Sequence, residues 1–254
     1  MFWENIGNFF KTIKTDFGYM APHFASEEAL SIVLVCMGFI ATILIAYFLG
    51  SINFAIIISG KKYKEDIRDH GSKNAGMTNM MRTYGKKAAV LTLVGDALKA
   101  IVACFIGYVI MGSLGAYAAG LFCMIGHVFP IFYGFKGGKG VVTAAATVLM
   151  TDWLVFLILL ALFILMVAIW RYISLASITC MLLYPLILSF TTKVFLQRIS
   201  PFILFSVLMA ALIIGKHWTN IQRLREGKES KFSFKKSVKT PTETSGENNE
   251  GEQK

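Results

Sequence analysis

Residues 134–140 read Gly134-Phe135-Lys136-Gly137-Gly138-Lys139-Gly140, placing two lysines and four glycines in a link between strongly apolar segments. Glycine lets a backbone approach a ligand closely and aim successive N–H groups at one point, and lysine adds a point charge. The combination suits a phosphate. It is not a Walker A loop, because Gly140 stands where that loop needs Ser or Thr and the preceding spacing differs. The apolar run that opens at Val141 would turn its first N–H groups toward an anion. His127, just upstream, is either a buried structural histidine or a catalytic one.

Three more clusters carry polar chemistry. Residues 71–87 pack Ser72, Asn74, Asn79, Arg82 and several lysines into a short amphiphilic loop. Behind it, Asp96 and Lys99 at i,i+3 share a helix face and can pair. Ionisable groups inside an apolar span are costly and usually functional, the alternative being an ion pair that only orients the helix. A third cluster, Arg171 to Ser177, lies between two apolar runs, where a single arginine is commonly an anchor. The fourth holds His217, Asn220 and Arg223 at every third residue, followed by Gly227, Lys228 and Glu229. On one continuous helix these three would lie on roughly one face. Cys36, Cys104, Cys123 and Cys180 all fall within apolar runs without metal-ligand or disulfide spacing, so a packing role is expected of them.

The elements that must position these groups are membrane spans. Hydrophobic residues make up 56% of the chain and charged residues 16%, with mean hydropathy +0.61, whereas a soluble domain carries about 25% charged residues. The apolar runs cover 29–59, 88–111, 114–133, 141–150, 153–170, 174–190 and 201–215. The first is too long for one straight crossing of a ~30 Å hydrocarbon core and must tilt or break near 50–53; the run 141–150 is too short to cross upright. Residues 61–87 carry eight Lys/Arg against three acids, and 216–239 eight against two, which places both on the cytoplasmic side. An even number of crossings must separate them. Counting the short run gives an all-α integral membrane protein of about seven transmembrane helices, N-terminus outside and C-terminus cytoplasmic. Residues 29–232 form the membrane domain. Residues 1–28, with Ile6, Phe9, Phe10, Ile13 and Phe17 at helical spacing, are an extension that is either an interfacial helix or loosely ordered. Residues 233–254 form a polar tail expected to be disordered. A net charge of +10 raises the question of nucleic acid, but no recognition motif accompanies it and no such partner is expected.

Taken together, the clusters resemble the bacterial acyl-phosphate-dependent glycerol-3-phosphate acyltransferases over about residues 45–232. The first resembles the family's Gly-Ser-Gly-Asn-x-Gly-Ala-Thr-Asn-x-x-Arg signature, the second its Gly-His-x-x-Pro…Phe-Lys-Gly-Gly-Lys-Gly-Val-x-Thr segment. The remaining two, and Gly50-Ser51-Ile52, match in order and spacing. Lys73, Met77, Asn53, Ala100 and Trp218 depart from the pattern, none at an obvious catalytic group. The resemblance implies acyl transfer from acyl phosphate to the sn-1 hydroxyl of glycerol 3-phosphate in the lipid bilayer of the cell membrane, the first acylation of phospholipid synthesis, with no cofactor or metal. It implies catalytic parts for Ser72, Asn74, Asn79, Arg82, Ser177, His217 and Asn220. Substrate binding would fall to Ser51, Lys99, His127, Lys136, Gly137, Gly138, Lys139, Gly140, Thr143, Arg171 and Arg223, and structural parts to Asp96 and Glu229. Two phosphates brought side by side need several cations, and the basic residues of these clusters supply them. His217, His127, Asp96 or the substrate's own phosphate are the candidates to take the hydroxyl proton. A transporter of a phosphorylated small solute is the alternative, since a short helix aimed at an anion also serves transport. The polar motifs gather on one side only, which disfavours it.

Overall fold

The first apolar run breaks where its polar residues demand it. The computed structural model describes residues 28–197 and 200–232, so the N-terminal extension up to residue 27, interfacial helix or loosely ordered, and the polar tail 233–254 lie outside the described residues. Helix α1 (Glu28–Ser51) ends at Ser51, and the side chain of Asn53 accepts from the Ile56 N–H at 3.2 Å to start α2 (Phe54–Ile58), which widens into a π turn over Ser59–Tyr63. A loop with a 3₁₀ turn at Ile67–Asp69 leads to α3 (Met77–Tyr84).

Helix α4 (Lys86–Val128) is not a rod. Met111 (φ −138°, ψ 23°) and Gly112 (φ 58°, ψ −147°) are non-helical, and the chain reverses there. A straight helix would hold Lys99 and His127 about 42 Å apart; Lys99 Nζ instead lies 2.9 Å from His127 Nδ1. The two arms pack backbone to backbone at Gly107 and Gly115, where a Cβ on either residue would overlap the other's carbonyl. Close approach through small residues is how helices associate where no water is expelled from between them.

A 3₁₀ turn (Ile131–Tyr133) and the Gly-rich loop lead to the short α5 (Val141–Thr151). Then come α6 (Trp153–Trp170), α7 (Ile173–Leu196), α8 (Ile203–Lys216) and α9 (Trp218–Arg225), the last two bent by 57° to each other. Among the described residues four helical stretches are long and apolar enough to cross a membrane, or five if the bent pair counts as one span; one of the four is the α4 hairpin. There is no strand among the described residues.

This is an all-helical integral membrane protein, and its surface shows it. Ile164, Leu186, Phe190 and Leu204 present more than half their area outward. The main core joins the second arm of α4 to α5 through α8, around Met124, Val128, Val148, Tyr184, Leu188, Met209 and Ile213. A second cluster of Ala46, Ala100, Ala103, Ala119 and Cys123 seats α1 against α4. Gly50 there touches the Cys123 backbone, leaving no room for a Cβ. A third, around Ile56, Ile67, Ala75 and Met80, anchors the 64–76 loop.

Candidate active site

The four clusters meet at one end of the bundle, with Glu229 at their junction. The chain after α9 turns back at Gly227 (φ 68°), the Lys228 and Glu229 N–H groups donating to the Arg223 carbonyl at 2.8 and 3.1 Å. The Phe232 N–H donates to the Arg171 carbonyl at 2.6 Å, drawing this segment onto the start of α7. The Glu229 carboxylate then accepts from Ser174 Oγ (2.7 Å) and Asn220 Nδ2 (2.7 Å), and Arg223 Nε stands 3.6 Å away. The Lys139 ammonium donates to Asn220 Oδ1. Arg82 donates to the Ser230 carbonyl at 3.3 Å. Lys139, Arg82, Arg223 and Lys216 therefore stand within electrostatic reach of one another or of Glu229, the one carboxylate so placed among the described residues. The surplus positive charge suits an anion such as a phosphate. Burial pushes the Lys139 ammonium down to about 8; Glu229 opposes this, while Arg223, Arg82 and Lys216 add to it. Burial also lowers Arg82, with Arg223 adding and Glu229 opposing.

His217 occupies the bend between α8 and α9, so it does not share one continuous helix with Asn220 and Arg223 as their spacing suggests. Its Nδ1 lies 2.8 Å from the Ile213 carbonyl. That bond fixes the proton on Nδ1 and leaves the Nε2 lone pair as acceptor. The ring lies within electrostatic reach of Lys139 and Glu229.

A separate buried network lies beneath the Gly-rich loop. Lys99 Nζ donates to the carbonyls of Gly50 (2.9 Å) and Ile52 (2.6 Å) and lies 2.8 Å from Asp96 Oδ1 and 2.9 Å from His127 Nδ1. Lys99, expected among the substrate-binding residues, is thus engaged within the protein. Its ammonium donates to the two carbonyls freed where α1 breaks and stands beside the Asp96 carboxylate and the His127 ring. Asp96 is indeed its partner at i,i+3. His127 is held on one side by Lys99, and its Nε2 edge lies where a Cβ on Gly138 would fall.

The glycines also act differently from the expected cradle. The Gly137 and Gly138 N–H groups donate to the Val128 and His127 carbonyls at 3.2 and 3.1 Å, so they seat the loop on the end of α4 instead of facing a ligand. Gly140 (φ 82°) turns the chain into α5, and the Thr143 hydroxyl closes back on its carbonyl at 2.8 Å. Ser51 Oγ donates to the Tyr47 carbonyl and accepts from the Ile131 N–H, and Ser177 Oγ donates to the Ile173 carbonyl. The Asn79 amide accepts from the Ser72 N–H and donates toward the carbonyls of Ile67, His70 and Asn74, folding the first loop around itself. The structure thus engages Ser51, Asn79, Thr143 and Ser177 in holding main chain. The side chains of Ser72, Asn74, Lys136 and Arg171 reach no partner among the described residues and remain at least partly open.

Sequence reasoning passed over Ser174 and Lys216, although both lie inside clusters it singled out. It also passed over Asp66 and Arg68. Arg68 bridges to the carbonyls of Tyr133 and Lys136 at 2.7 and 3.1 Å, and only the i,i+2 acid–base spacing hinted at the pair.

Residues 40–227 match the family model described as glycerol-3-phosphate acyltransferase. Curated glycerol-3-phosphate acyltransferases of Trichlorobacter lovleyi and Finegoldia magna are 46% and 40% identical to the chain, each over 74% of it and 94% and 93% of their own lengths. Among solved structures, the chain is similar to PlsY (YgiH), an integral membrane glycerol 3-phosphate acyltransferase. The match is 35% identical over 77% of this chain and 96% of that one, with TM-score 0.70 to the glycerol 3-phosphate form and 0.68 to the lysophosphatidic acid form.

Proposed function

The chain belongs to the glycerol-3-phosphate acyltransferase family, and from that premise we propose that it transfers an acyl group from acyl phosphate to the sn-1 hydroxyl of glycerol 3-phosphate, giving lysophosphatidic acid and phosphate. The observation that carries this reading is the gathering of Lys139, Arg82, Arg223 and Lys216 around one carboxylate, with an unprotonated His217 Nε2 nearby.

Acyl phosphate is an activated anhydride, so alignment and charge neutralisation are the main demands on the protein. The cation cluster takes a substrate phosphate, in exchange for part of its contact with Glu229. Ser72 and Asn74, open at the site, hydrogen-bond the glycerol hydroxyls or the developing oxyanion. The glycerol oxygen attacks the acyl carbonyl; the C–O bond to phosphate breaks, and phosphate leaves with the electron pair. His217 Nε2 accepts the hydroxyl proton. His127 and Asp96 are poorer candidates because both are committed to Lys99. Glycerol 3-phosphate as acceptor is supported by the related structure in its glycerol 3-phosphate form.

The site opens on the cytoplasmic side of a multi-pass protein with about seven crossings, N-terminus outside. The basic loop 61–87 and the segment after Lys216 converge at the site end of the bundle, which supports that orientation. The test is a detergent assay with labelled glycerol 3-phosphate and palmitoyl phosphate, with palmitoyl-CoA in parallel. Lysophosphatidic acid formed from the acyl phosphate alone is the expected result. Product from the CoA ester instead refutes the donor, and no product from either in a folded sample refutes the reaction.

A further inference from the structure

Arg68 lies outside the cation cluster, yet it ties the Gly-rich loop to the loop that carries Ser72 and Asn74. Its Nε and Nη2 donate to Asp66 Oδ1 and Oδ2 at 3.0 and 2.7 Å. Asp66 is itself fixed, because its Oδ1 also accepts from the Arg68 main-chain N–H at 2.8 Å and opens the 3₁₀ turn. With Nε and Nη2 held by Asp66, Nη1 points across to the carbonyls of Tyr133 (2.7 Å) and Lys136 (3.1 Å).

Those carbonyls bracket Gly134 (φ 65°) and Phe135 (φ 58°), two successive left-handed residues. A left-handed residue with a side chain costs roughly 1–2 kcal/mol, so this turn needs an external hold. The Phe135 N–H supplies one end by donating to the Pro130 carbonyl at 2.9 Å, and Arg68 supplies the other. Lys139 follows Lys136 by three residues, so the tie acts close to the ammonium that meets Asn220.

We propose that Arg68, oriented by Asp66, is a positioning residue that sets where the Gly-rich loop presents Lys139 and thereby governs affinity for one of the two phosphate-bearing substrates. The inference rests on the acyltransferase reading for the identity of those substrates. Only a planar fork can hold a carboxylate through two nitrogens and reach two carbonyls with the third; a lysine offers one nitrogen for all four acceptors.

The experiment compares full-length wild type, Arg68→Ala, Arg68→Lys and Asp66→Asn in detergent. It measures KM for each substrate, kcat, thermal unfolding, and tryptic cleavage after Lys136 by mass spectrometry. Arg68→Ala is expected to raise KM for one phosphate substrate at least tenfold, keep kcat within threefold, and speed cleavage after Lys136 at least tenfold. Arg68→Lys should recover less than a third of the lost affinity, and Asp66→Asn should move KM in the same direction. Unchanged KM and unchanged cleavage in Arg68→Ala would overturn the proposal, as would a loss confined to kcat. Should Arg68→Ala fail to fold, the KM and cleavage of the near-isosteric Asp66→Asn decide. If wild type transfers no acyl group, the acyltransferase reading fails on its own, while the cleavage comparison still decides whether Arg68 holds the loop.

Discussion

Replacing Lys139 by alanine removes the one cation that the Gly-rich loop delivers to the cluster. Full Coulomb attraction between unit charges 4 Å apart is about 4 kcal/mol at an effective dielectric of about 20. The net effect is smaller, because in the free protein the ammonium already donates to Asn220 and lies within reach of Glu229; binding exchanges those partners for a phosphate. A hydrogen bond to a charged group, worth about 1.5–3 kcal/mol net, is the better guide. It corresponds to a loss of roughly 10- to 150-fold in kcat/KM. The assay is initial-rate formation of labelled lysophosphatidic acid in detergent, with circular dichroism confirming that the variant folds. Lys139→Arg should lie between the two, since it keeps the charge but must fit a wider head beside Asn220. A folded Lys139→Ala protein within threefold of wild-type kcat/KM would refute the phosphate-site assignment.

The same lysine sets a pH dependence. Its free-protein value of about 8 leaves it charged at pH 7 and largely neutral at pH 9. A phosphate monoester with a second pKa of about 6 is already a dianion over that range. Binding favours the charged ammonium, so KM for the substrate it holds should rise as pH increases through 8; a flat profile from pH 7 to 9 would contradict this. His217→Ala should lower kcat by 10²-fold or more, in the range of general-base catalysis, with KM within threefold; unchanged kcat would assign the proton to the substrate phosphate. Lys99→Met leaves the Asp96 carboxylate buried without its cation and should cost about 3–5 kcal/mol, read as a lowered midpoint of thermal unfolding. Adding Asp96→Asn should restore part of it, and a Lys99→Met midpoint equal to wild type would disprove the tie.

Much of the architecture was legible because it follows from local rules. The break after Ser51 comes from Gly50 and Asn53 inside a run too long for one crossing, and the α4 reversal from Gly112 between two span-length arms. Val141–Thr151 is short because Gly140 and Asp152 bound it. What stayed hidden was the use of each polar group. Lys99 looked like one more cation for phosphate, since no pattern reveals that the carbonyls freed at the α1 break point at it. Gly137 and Gly138 looked like anion donors, since their bonds to residues 127 and 128 arise only once the loop folds back on α4. Glu229 emerged as the hub only because the chain after α9 returns to Ser174.

Helix α5, at 11 residues, is about 16 Å long, against a hydrocarbon core of about 30 Å. Whether the surrounding lipid thins or the ends of the helix sink, the cost rises with the length of the lipid tails around it. One of those ends is Gly140, next to Lys139. Because Gly140 adjoins Lys139, we expect lipid thickness to bear on where the Gly-rich loop sits. In reconstituted vesicles, turnover should be faster in shorter-chain lipid than in longer-chain lipid of the same headgroup. Equal turnover in the two lipids would count against this expectation.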